Sequence, residues 1–314
     1  MNLFIKNIYN ISLPKYTFYH INNGIFKMEI NKDNLTIIIV TIKSESVIEN
    51  CLDSIHPEIK KIIIENSSNQ NFFKNLISKY KNIECFASGK NYGMGRGNNI
   101  GIKKSKTRYV MILNPDTILK ADTLEKIFVI SKNLDFSILS PLSDNTDYPN
   151  YKIKKVSKNI NNELLEVDSV DGYAMIFDTT KFDQNYFDEN FFMYLENDDL
   201  CLRMKKKNEK IYVYKKAFIS HLGAKAVNEK YQEELEFSRN WHWNWSKFYF
   251  RKKHYGFIYA FLTGFPNYLK SCLKFLIYFL INEKFKFKIY FNRASGFYNS
   301  LLNKKAWYRP KLSQ

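Results

Sequence analysis

LTIIIVTI, residues Leu35–Ile42, is the stretch from which the fold of this chain can be worked out. A continuous run of β-branched and apolar residues is typical of a strand covered on both faces, as the strands of parallel sheets are. Ser46 and Glu49 then match a capping box, and apolar residues at helical spacing follow as far as Ile55. The pattern therefore predicts a strand followed directly by a helix.

The same alternation continues along the chain. Short apolar runs predict further strands at Lys61–Glu65, Ile83–Ala87, Arg108–Leu113 and Phe136–Ser140. Helical spacing predicts helices at Phe72–Tyr80, Asn98–Ser105 and Ala121–Lys132. Strands that alternate with helices indicate an α/β fold with a mostly parallel sheet and right-handed crossovers. Ligands of such sheets bind outside the carboxyl ends of the strands.

Polar side chains stand where the predicted strands end, at Thr41, Glu65 and Asn114–Asp116. Pro115 has no backbone donor and fixes a turn, so it ends its strand and directs Asp116 outward. A lone carboxylate there suits a divalent cation that keeps several waters and takes its other ligands from a diphosphate. An ordinary turn aspartate that caps the next helix is the alternative interpretation.

The segment NYGMGRGNN, residues Asn91–Asn99, is expected to form a glycine-containing loop. Glycines permit close backbone approach to a ligand. Arg96 among them is a candidate phosphate contact. The sequence contains neither a complete GxGxxG nor a GxxxxGK[ST] motif, which excludes the dinucleotide-binding and P-loop signatures.

An acidic cluster follows an apolar and aromatic run in NFFMYLENDDLCLR, residues Asn190–Arg203. It contains Glu196, Asp198 and Asp199. Burying a carboxylate is costly unless it is paired, hydrogen-bonded or bound to a metal. The cluster is therefore either the place of a general base with a shifted pKa or a solvated helix N-terminus that favours carboxylates.

His221 is a candidate ligand of a metal or a diphosphate. It follows the strand-like run IYVYKKAFIS and precedes Leu222 and Gly223. A lone histidine after a strand is also often structural, so both interpretations stay open. The other four histidines form no HxH or HExxH motif.

The charge of the chain is unevenly placed. The 314 residues carry a formal net charge of +17. Residues 247–314 contain 14 Lys or Arg and a single acid, Glu283, so +13 of this charge lies in the last fifth of the chain. We therefore predict three parts: an N-terminal extension (1–34), a catalytic α/β domain (35–230) and a basic, aromatic, helical C-terminal region (231–314).

The cysteines and the N-terminus bear on the compartment. The four cysteines are scattered without a CxxC pair, which argues against a zinc ribbon or a disulfide framework. Reduced thiols of a cytosolic protein fit best. The first residues, MNLFIKNIYNISLPK, have no continuous apolar stretch before a small-residue cleavage site, so no signal peptide is expected.

In their order and spacing, these motifs resemble the family 2 glycosyltransferases with the GT-A fold, in particular the rhamnosyltransferase-like branch that acts on lipid-linked or surface glycans. The resemblance runs from Leu35 to Gly223. It is carried by the first strand and helix, by IIIENSSN, NYGMGRGNNIGI, YVMILNPDTIL, VDSVDGYAMIF and FDENFFMYLENDDLCLR, and by His221. The resemblance implies a GT-A fold with a mostly parallel central sheet, extended by the basic C-terminal helices.

The resemblance also implies roles on the donor side. Thr41 and Glu65 would hold the base and ribose of a nucleotide-sugar. Asp116, with His221, would hold Mg²⁺ or Mn²⁺ across the diphosphate and neutralise the leaving group. The full nucleotide-sugar set would be Thr41, Glu65, Asn91, Arg96, Asn98 and Asn114, with Arg96 and Asn98 near the diphosphate.

On the acceptor side, the resemblance implies that Glu196, Asp198 or Asp199 supplies the base. That base would deprotonate an acceptor hydroxyl for in-line attack at the anomeric carbon, with inversion. Asp171 and Gly172 would also lie on this side of the site.

The sequence departs from the family pattern at several places. Glu65 replaces the commoner aspartate, a side chain one methylene longer with the same charge. Asn197 stands where the family usually has an aspartate, and an amide does not accept a proton usefully at neutral pH, so Glu196 becomes the first candidate for the base. Ile42–Lys43 replaces Tyr-Asn after the first strand, which removes a ring that could stack on a base. Asp171 and Tyr173 replace Ser and Ala, which points to a different acceptor.

The C-terminal region contains the apolar runs Tyr255–Phe265 and Phe275–Ile281, which are too short to span a bilayer and are separated by Pro266 and lysines. Aromatic residues interleaved with Lys and Arg suit helices that lie in the interface of an anionic membrane. Packing against the catalytic domain or in a dimer is the alternative. Nucleic acid is the least supported partner, because no recognition motif accompanies the basic residues.

The sequence therefore predicts an inverting, metal-dependent glycosyltransferase at the cytoplasmic face of the cell membrane. Its substrates would be a nucleotide-diphospho-sugar and a lipid-linked or glycan acceptor, with rhamnose as the sugar that the resemblance favours. A sugar nucleotidyltransferase is one alternative, although its basic glycine-rich signature is missing near the N-terminus. A non-catalytic glycan-binding scaffold, with Asn197 as the mark of lost activity, is the other. The oligomeric state stays open.

Overall fold

A computed structural model describes residues 29–67, 69–132, 134–153, 163–223 and 229–311. Most of the predicted N-terminal extension, residues 1–28, lies outside this part. The strands of the larger sheet are β1 (Leu35–Thr41), β2 (Lys60–Glu65), β3 (Ile83–Ala87), β4 (Tyr109–Leu113), β5 (Thr117–Leu119), β6 (Ile138–Ser143), β8 (Leu164–Glu166), β10 (Ala174–Asp178) and β11 (Ile211–His221). Two short strands, β7 (Tyr151–Lys152) and β9 (Ser169–Val170), form a separate antiparallel pair.

The strand order of the sheet is β3-β2-β1-β4-β10-β6-β11-β5, and β8 pairs with β11. The first four strands in this order are parallel to one another. β10 is antiparallel to both of its neighbours, whereas β6 and β11 are again parallel. The prediction of an α/β fold with a mostly parallel sheet is confirmed.

The sheet is covered on both faces, which explains the continuous apolar run of β1. Ile37 and Ile39 belong to one buried cluster, and Ile38 and Val40 belong to the cluster on the opposite face. Every residue of β1 is buried. Because a fully buried aliphatic side chain contributes about 1.5–3 kcal/mol, this strand anchors both layers of the core.

The helices around the sheet are α1 (Ile48–Asp53), α2 (Gln70–Lys79), α3 (Met94–Lys104), α4 (Thr123–Ser131) and α5 (Glu196–Lys206). The predicted capping box before α1 is wrong, because no side chain caps this helix. Instead, the backbone carbonyl of Ser44 accepts hydrogen bonds from the amides of Val47 and Ile48, each at 3.1 Å. The backbone turn alone satisfies the first amides of the helix.

The prediction of a glycine-containing loop over residues 91–99 is wrong in its second half, where α3 already begins at Met94. Two glycines of this helix lie directly on β1. A Cβ atom on Gly97 would come within 2.7 Å of Val40, and one on Gly101 within 2.4 Å of Ile38. These glycines therefore allow the helix to pack closely on the sheet.

The C-terminal region forms three helices that all contact one another: α6 (Gln232–Tyr255), α7 (Phe257–Leu280) and α8 (Lys284–Leu301). Pro266 lies inside α7, so the prediction that it interrupts the apolar runs is wrong. Packing on α8 compensates for the hydrogen bond that proline removes. Gly264 and Tyr268, on either side of Pro266, both lie against Phe297 of α8.

Candidate active site

A cavity of about 700 Å³ lies at the carboxyl ends of the strands, and we call it the polar cavity. Its walls come from α3, the turns after β4 and β9, the start of α5, the end of β11 and one turn of α6. The polar and aromatic residues that line it include Asn98, Asn114, Asp171, Gly172, Tyr173, Tyr194, Glu196, Asn197, Asp198, His221 and Trp243. Parallel strands whose carboxyl ends meet at one edge explain why segments so far apart in sequence converge here.

Glu196 is the first residue of α5 and is aimed into the polar cavity by a strained turn. Tyr194 and Leu195 precede it with φ angles of 71° and 66°, in the left-handed region that side chains other than glycine rarely adopt. Such strain costs on the order of 1–3 kcal/mol per residue and is typical of functional sites. The conformation therefore fixes where the Glu196 carboxyl group points.

The carboxyl group of Glu196 has the properties of a general base. Its Oε2 atom is buried and has no hydrogen-bond partner among the described residues. Burial raises the pKa of Glu196 to about 7, and the charge of Asp198 acts in the same direction. A carboxylate with this pKa can take a proton from a hydroxyl group near neutral pH.

Asn197 and Asp198 are held by contacts of their own. The Asn197 side chain donates a hydrogen bond from Nδ2 to the carbonyl of Val170 at 2.8 Å. Lys152 donates to both carboxylate oxygens of Asp198, at 3.0 and 2.7 Å. Asn197 thus connects α5 to β9, and the carboxylate of Asp198 is paired with Lys152.

The structure does not bring Asp199 to the polar cavity. Its fully buried carboxylate contacts Arg203 Nε at 2.9 Å, Lys253 Nζ at 2.6 Å and His254 Nε2 at 2.8 Å. Lys253 and His254 belong to α6, so Asp199 connects α5 with the C-terminal helices. Its contacts are those of a structural ion pair.

Asp116 and His221 lie together at the end of the polar cavity. His221 Nε2 is 3.4 Å from Asp116 Oδ1, and the two residues are positioned by the pairing of β5 with β11. Asp116 is 2% exposed, and its Oδ1 atom makes no hydrogen bond with the described residues. The His221 ring stacks on Tyr173 with centroids 4.2 Å apart, which fixes its orientation.

The predicted donor-side residues are brought together only in part. Thr41 ends β1 with its hydroxyl buried and without a partner among the described residues. The Glu65 carboxylate already accepts hydrogen bonds from the amides of Ser67 at 2.9 Å and Asn69 at 3.3 Å. It stabilises its own turn at the end of β2.

A smaller cavity of about 220 Å³ adjoins the polar cavity at the ends of β1 and β4. Asn91 and Asn114 line it, as does Arg239 of α6. Arg96 lies elsewhere: its guanidinium contacts Glu189 at 3.2 Å and the Tyr92 ring at 4.1 Å, and it lines a different cavity.

Three residues that line these cavities were missed by the sequence analysis: Tyr194, Arg239 and Trp243. The Trp243 ring meets the edge of the Tyr194 ring with centroids 5.5 Å apart. In the sequence, Arg239 and Trp243 lie in the aromatic, basic region that we interpreted as a membrane contact. Only the packing of α6 against the start of α5 brings them to the site.

Solved structures establish the class of the fold. The chain superposes on GalNAc-T7, solved with UDP, GalNAc and Mn²⁺, with a TM-score of 0.51 at 13% identity, over 66% of this chain and 50% of that one. It superposes on the mannosyltransferase PcManGT of Pyrobaculum calidifontis, solved with GDP-Man and Mn²⁺, with a TM-score of 0.51 at 10% identity, over 87% and 88% of the two chains. The chain therefore has the GT-A fold of nucleotide-diphospho-sugar transferases, as predicted.

The family follows from the sequence comparison. Residues 36–209 match the family described as glycosyl transferase family 2, which is more than half of the chain. The protein belongs to glycosyl transferase family 2, and this prediction is confirmed.

The chain is similar in sequence to two named glycosyltransferases. The chain is 28% identical over 195 residues to the low-salt glycan biosynthesis hexosyltransferase Agl10 of Haloferax volcanii, which covers 56% of this chain and 63% of Agl10. It is 29% identical over 200 residues to the rhamnosyltransferase WbbL of Escherichia coli K12, which covers 54% of this chain and 75% of WbbL. The chain thus matches less than two thirds of the length of Agl10.

Proposed function

We propose that the protein is an inverting glycosyltransferase that moves a sugar from a nucleotide-diphospho-sugar to a hydroxyl group of a lipid-linked or surface glycan. The observation that carries this proposal is Glu196, which lines the polar cavity, has a buried Oε2 atom without a hydrogen-bond partner among the described residues, and has a pKa raised to about 7. Family membership and the GT-A fold supply the reaction class.

In this mechanism Glu196 accepts the proton of the acceptor hydroxyl. The hydroxyl oxygen then forms a bond to the anomeric carbon of the donor sugar, while the bond from that carbon to the nucleoside diphosphate breaks on the opposite face. The configuration is inverted because attack and departure are in line. Asp198 forms an ion pair with Lys152 and lines the polar cavity together with Asp171 and Gly172. Its proposed role is to contact the acceptor rather than to accept the proton.

Asp116 and His221 fit a divalent cation. The buried Oδ1 atom of Asp116 makes no hydrogen bond with the described residues and lies beside an imidazole nitrogen. The described residues contain no group of three His, Cys, Asp or Glu side chains able to hold a metal, so a diphosphate and waters would complete the coordination. When bound, Mg²⁺ or Mn²⁺ would neutralise the charge of the departing diphosphate.

The donor would lie across the smaller cavity, which Asn91 and Asn114 line. Thr41 ends β1 between Val40 and Ile42, which also line this cavity. Arg239 is placed to offset the diphosphate charge from the side of α6, a role that the sequence analysis gave to Arg96. Asn98 lines the polar cavity next to this path. The rhamnosyltransferase name of WbbL makes a deoxyhexose the first donor sugar to test.

We also propose that the C-terminal helices place the enzyme on the cytoplasmic face of a membrane. Among the described residues, no helix is both long enough and apolar enough to cross a bilayer. However, α7 exposes a long apolar face in which more than half of each side chain is accessible: Ile258, Leu262, Leu273, Leu276, Ile277, Phe279 and Leu280. Lys284, Lys286 and Lys288 are exposed at the start of α8, directly after the end of α7. An anionic lipid surface would match both this charge and the apolar area of α7.

A screen of nucleotide-sugars by thermal shift, with and without Mn²⁺, tests the donor assignment. A specific donor binds only the folded protein and therefore raises its melting temperature. At a donor concentration of about a hundred times the Kd, the free energy of unfolding increases by about 2.7 kcal/mol. We expect one nucleotide class to stabilise the protein and to be hydrolysed slowly without acceptor. Absence of any shift or hydrolysis would favour the non-catalytic scaffold, and release of diphosphate from a nucleoside triphosphate and a sugar phosphate would favour the nucleotidyltransferase.

A further inference from the structure

A second cavity, of about 300 Å³, is enclosed by α6, α7 and α8, and we call it the basic cavity. Five cationic side chains line it: Lys247, Arg251, Lys270, Lys274 and Arg293. No carboxylate is among its lining residues. Five positive charges around one cavity repel one another, so the arrangement is costly unless an anion binds there.

The polar contacts of these cations are made with neutral groups. Lys274 Nζ lies 3.0 Å from the Tyr290 hydroxyl, and Arg251 donates to the carbonyl of Thr263 at 3.0 Å. None of the five cations forms an ion pair with a carboxylate in the part of the chain that the structure describes. Burial and the nearby charge of Arg251 both lower the pKa of Lys247, as expected for excess positive charge. The cavity therefore carries an excess of positive charge that an anion could neutralise.

The basic cavity and the polar cavity have one lining residue in common. Trp243 lines both the basic cavity and the polar cavity, and its ring contacts Tyr194, two residues before Glu196. Lys247 and Arg251 follow Trp243 on the same face of α6. They lie about 6 and 12 Å farther along the helix axis, given a rise of about 1.5 Å per residue. The sugar of an acceptor whose anionic group is held there would have to extend past Trp243 to approach Glu196.

The exposed face of α7 adds an apolar surface next to the basic cavity. Lys270 and Lys274, which line the cavity, alternate along α7 with Leu269, Leu273 and Leu276, which are 47%, 63% and 51% exposed. A ligand whose anionic group is held by the lysines can therefore lay an apolar chain along the leucines. Diphosphate esters of long isoprenoid alcohols combine these two chemistries.

We propose that the basic cavity binds the diphosphate of a polyprenyl-diphosphate-linked acceptor, so that its sugar reaches past Trp243 to Glu196. This inference rests on the proposed transferase function and names the class of its acceptor. Arginine and lysine bind phosphate oxygens through charge-assisted hydrogen bonds. The C-terminal helices would then bind the carrier lipid of the acceptor, and the GT-A domain would bind its sugar.

A kinetic comparison tests the proposal. The double variant Lys247→Gln with Lys274→Gln removes two of the five cations, and Lys74→Gln with Lys81→Gln removes the same charge at exposed positions of the GT-A domain. We expect the cavity variant to raise the KM for a farnesyl-diphosphate-linked sugar about tenfold or more, with kcat within about twofold. The same sugar on an uncharged alkyl chain should show no such increase, and the control variant should behave as wild type. Equal effects on both acceptors, or none on either, would overturn the assignment.

Equilibrium binding separates this inference from the transferase function, because it needs no turnover. Farnesyl diphosphate should bind the wild-type full chain at least about tenfold more tightly than farnesol or inorganic diphosphate, and the cavity variant should lose this preference. If inorganic diphosphate binds as tightly as farnesyl diphosphate, the cavity is a site for free phosphate compounds and the lipid assignment is wrong. If farnesyl diphosphate binds as proposed but no acceptor is ever glycosylated, the transferase function fails while the cavity assignment stands.

Discussion

The polar cavity and the basic cavity share Trp243 but carry unpartnered charges of opposite sign. Elsewhere in the described chain, buried carboxylates such as Asp178 and Asp199 are paired with cations, Asp178 with Arg108 at 2.7 Å and Asp199 with Arg203 at 2.9 Å. In contrast, the buried Oε2 atom of Glu196 has no hydrogen-bond partner, Asp116 has only His221 beside it, and the five cations of the basic cavity pair with no carboxylate among the described residues. Such groups are costly for folding alone. The comparison teaches that a substrate must satisfy both: a hydroxyl group at one end and an anionic group at the other.

Removing the base from the polar cavity should have the largest effect. Glu196→Gln keeps the shape of the side chain but cannot accept a proton, so sugar transfer should slow by about 10³-fold, within the range for general base catalysis. Donor binding, measured by thermal shift, should persist. Glu84→Gln, on the exposed edge strand β3, is the matched control. If Glu196→Gln transferred the sugar at the wild-type rate, the base would have to be another residue.

The next largest effect should come from Asp199, which connects α5 to α6, and it should be a loss of stability. Asp199→Asn leaves Arg203, Lys253 and His254 around an uncharged amide, and loss of one partner from a buried ion pair costs about 3 kcal/mol or more. Chemical denaturation should show this loss. Asp183→Asn, which breaks an exposed pair with Lys207, should change stability by less than about 0.5 kcal/mol. A stable Asp199→Asn protein without activity would instead indicate a direct role in catalysis.

Asp116→Asn should weaken metal-dependent transfer by about 10²-fold, because one charged ligand beside the diphosphate is lost. Titration with Mn²⁺ should show a higher concentration for half-maximal rate. Asp122→Asn, whose exposed carboxylate pairs with Lys126 at 2.6 Å, serves as the control. An unchanged metal titration in Asp116→Asn would exclude this residue as a ligand.

The burial that raises the pKa of Glu196, the proposed base, should also destabilise the fold at high pH. Its pKa is raised to about 7, above the value of about 4.3 for an unfolded chain, so the associated stability is complete below pH 4 and is lost as pH rises through 7. Glu196→Gln should abolish this loss of stability at high pH, because a glutamine side chain does not ionise. Relative to wild type, the variant should gain on the order of 3 kcal/mol at pH 8 and only about 1 kcal/mol at pH 5 in urea denaturation. An equal gain at both pH values would mean that the carboxyl group is not buried as described.

The smallest effect should come from the outer face of α7. Leu276→Glu with Leu280→Glu places charges on side chains that are 51% and 81% exposed, so the fold should tolerate them. Co-sedimentation with anionic liposomes should fall by about tenfold, because apolar burial drives interfacial binding. Ile77→Glu, equally exposed on α2, should leave it unchanged. Equal co-sedimentation of the two variants would contradict the membrane proposal.

The sheet could be predicted from the sequence because its signals are local. The β-branched run of Leu35–Thr41 needs only two covered faces, and Asn114–Asp116 follows its strand directly. The acidic segment after Phe191 was also found, although its members could not be ranked. Only tertiary contacts, such as those of Asp199 with α6, distinguish the proposed base Glu196 from the paired carboxylate of Asp199.

The relation between the two regions could not be predicted, because it depends on how α6 and α7 pack. Trp243 and Arg239 reach the site through contacts between segments that are far apart in sequence. Pro266 is a strong local signal for a break, but packing on Phe297 overrides it. The glycines of α3 were read as a ligand loop because a small residue looks the same whether a ligand or a neighbouring strand approaches it.

The pH dependence of a single turnover, with saturating donor and acceptor, tests the central claim most directly. If Glu196 is the base, the wild-type rate should rise about tenfold per pH unit below a pKa of about 7 and level off above it, whereas Glu196→Gln should be slow and independent of pH across that range. A wild-type rate that does not change between pH 5.5 and pH 8.5, or a Glu196→Gln variant that keeps the wild-type profile, would contradict it.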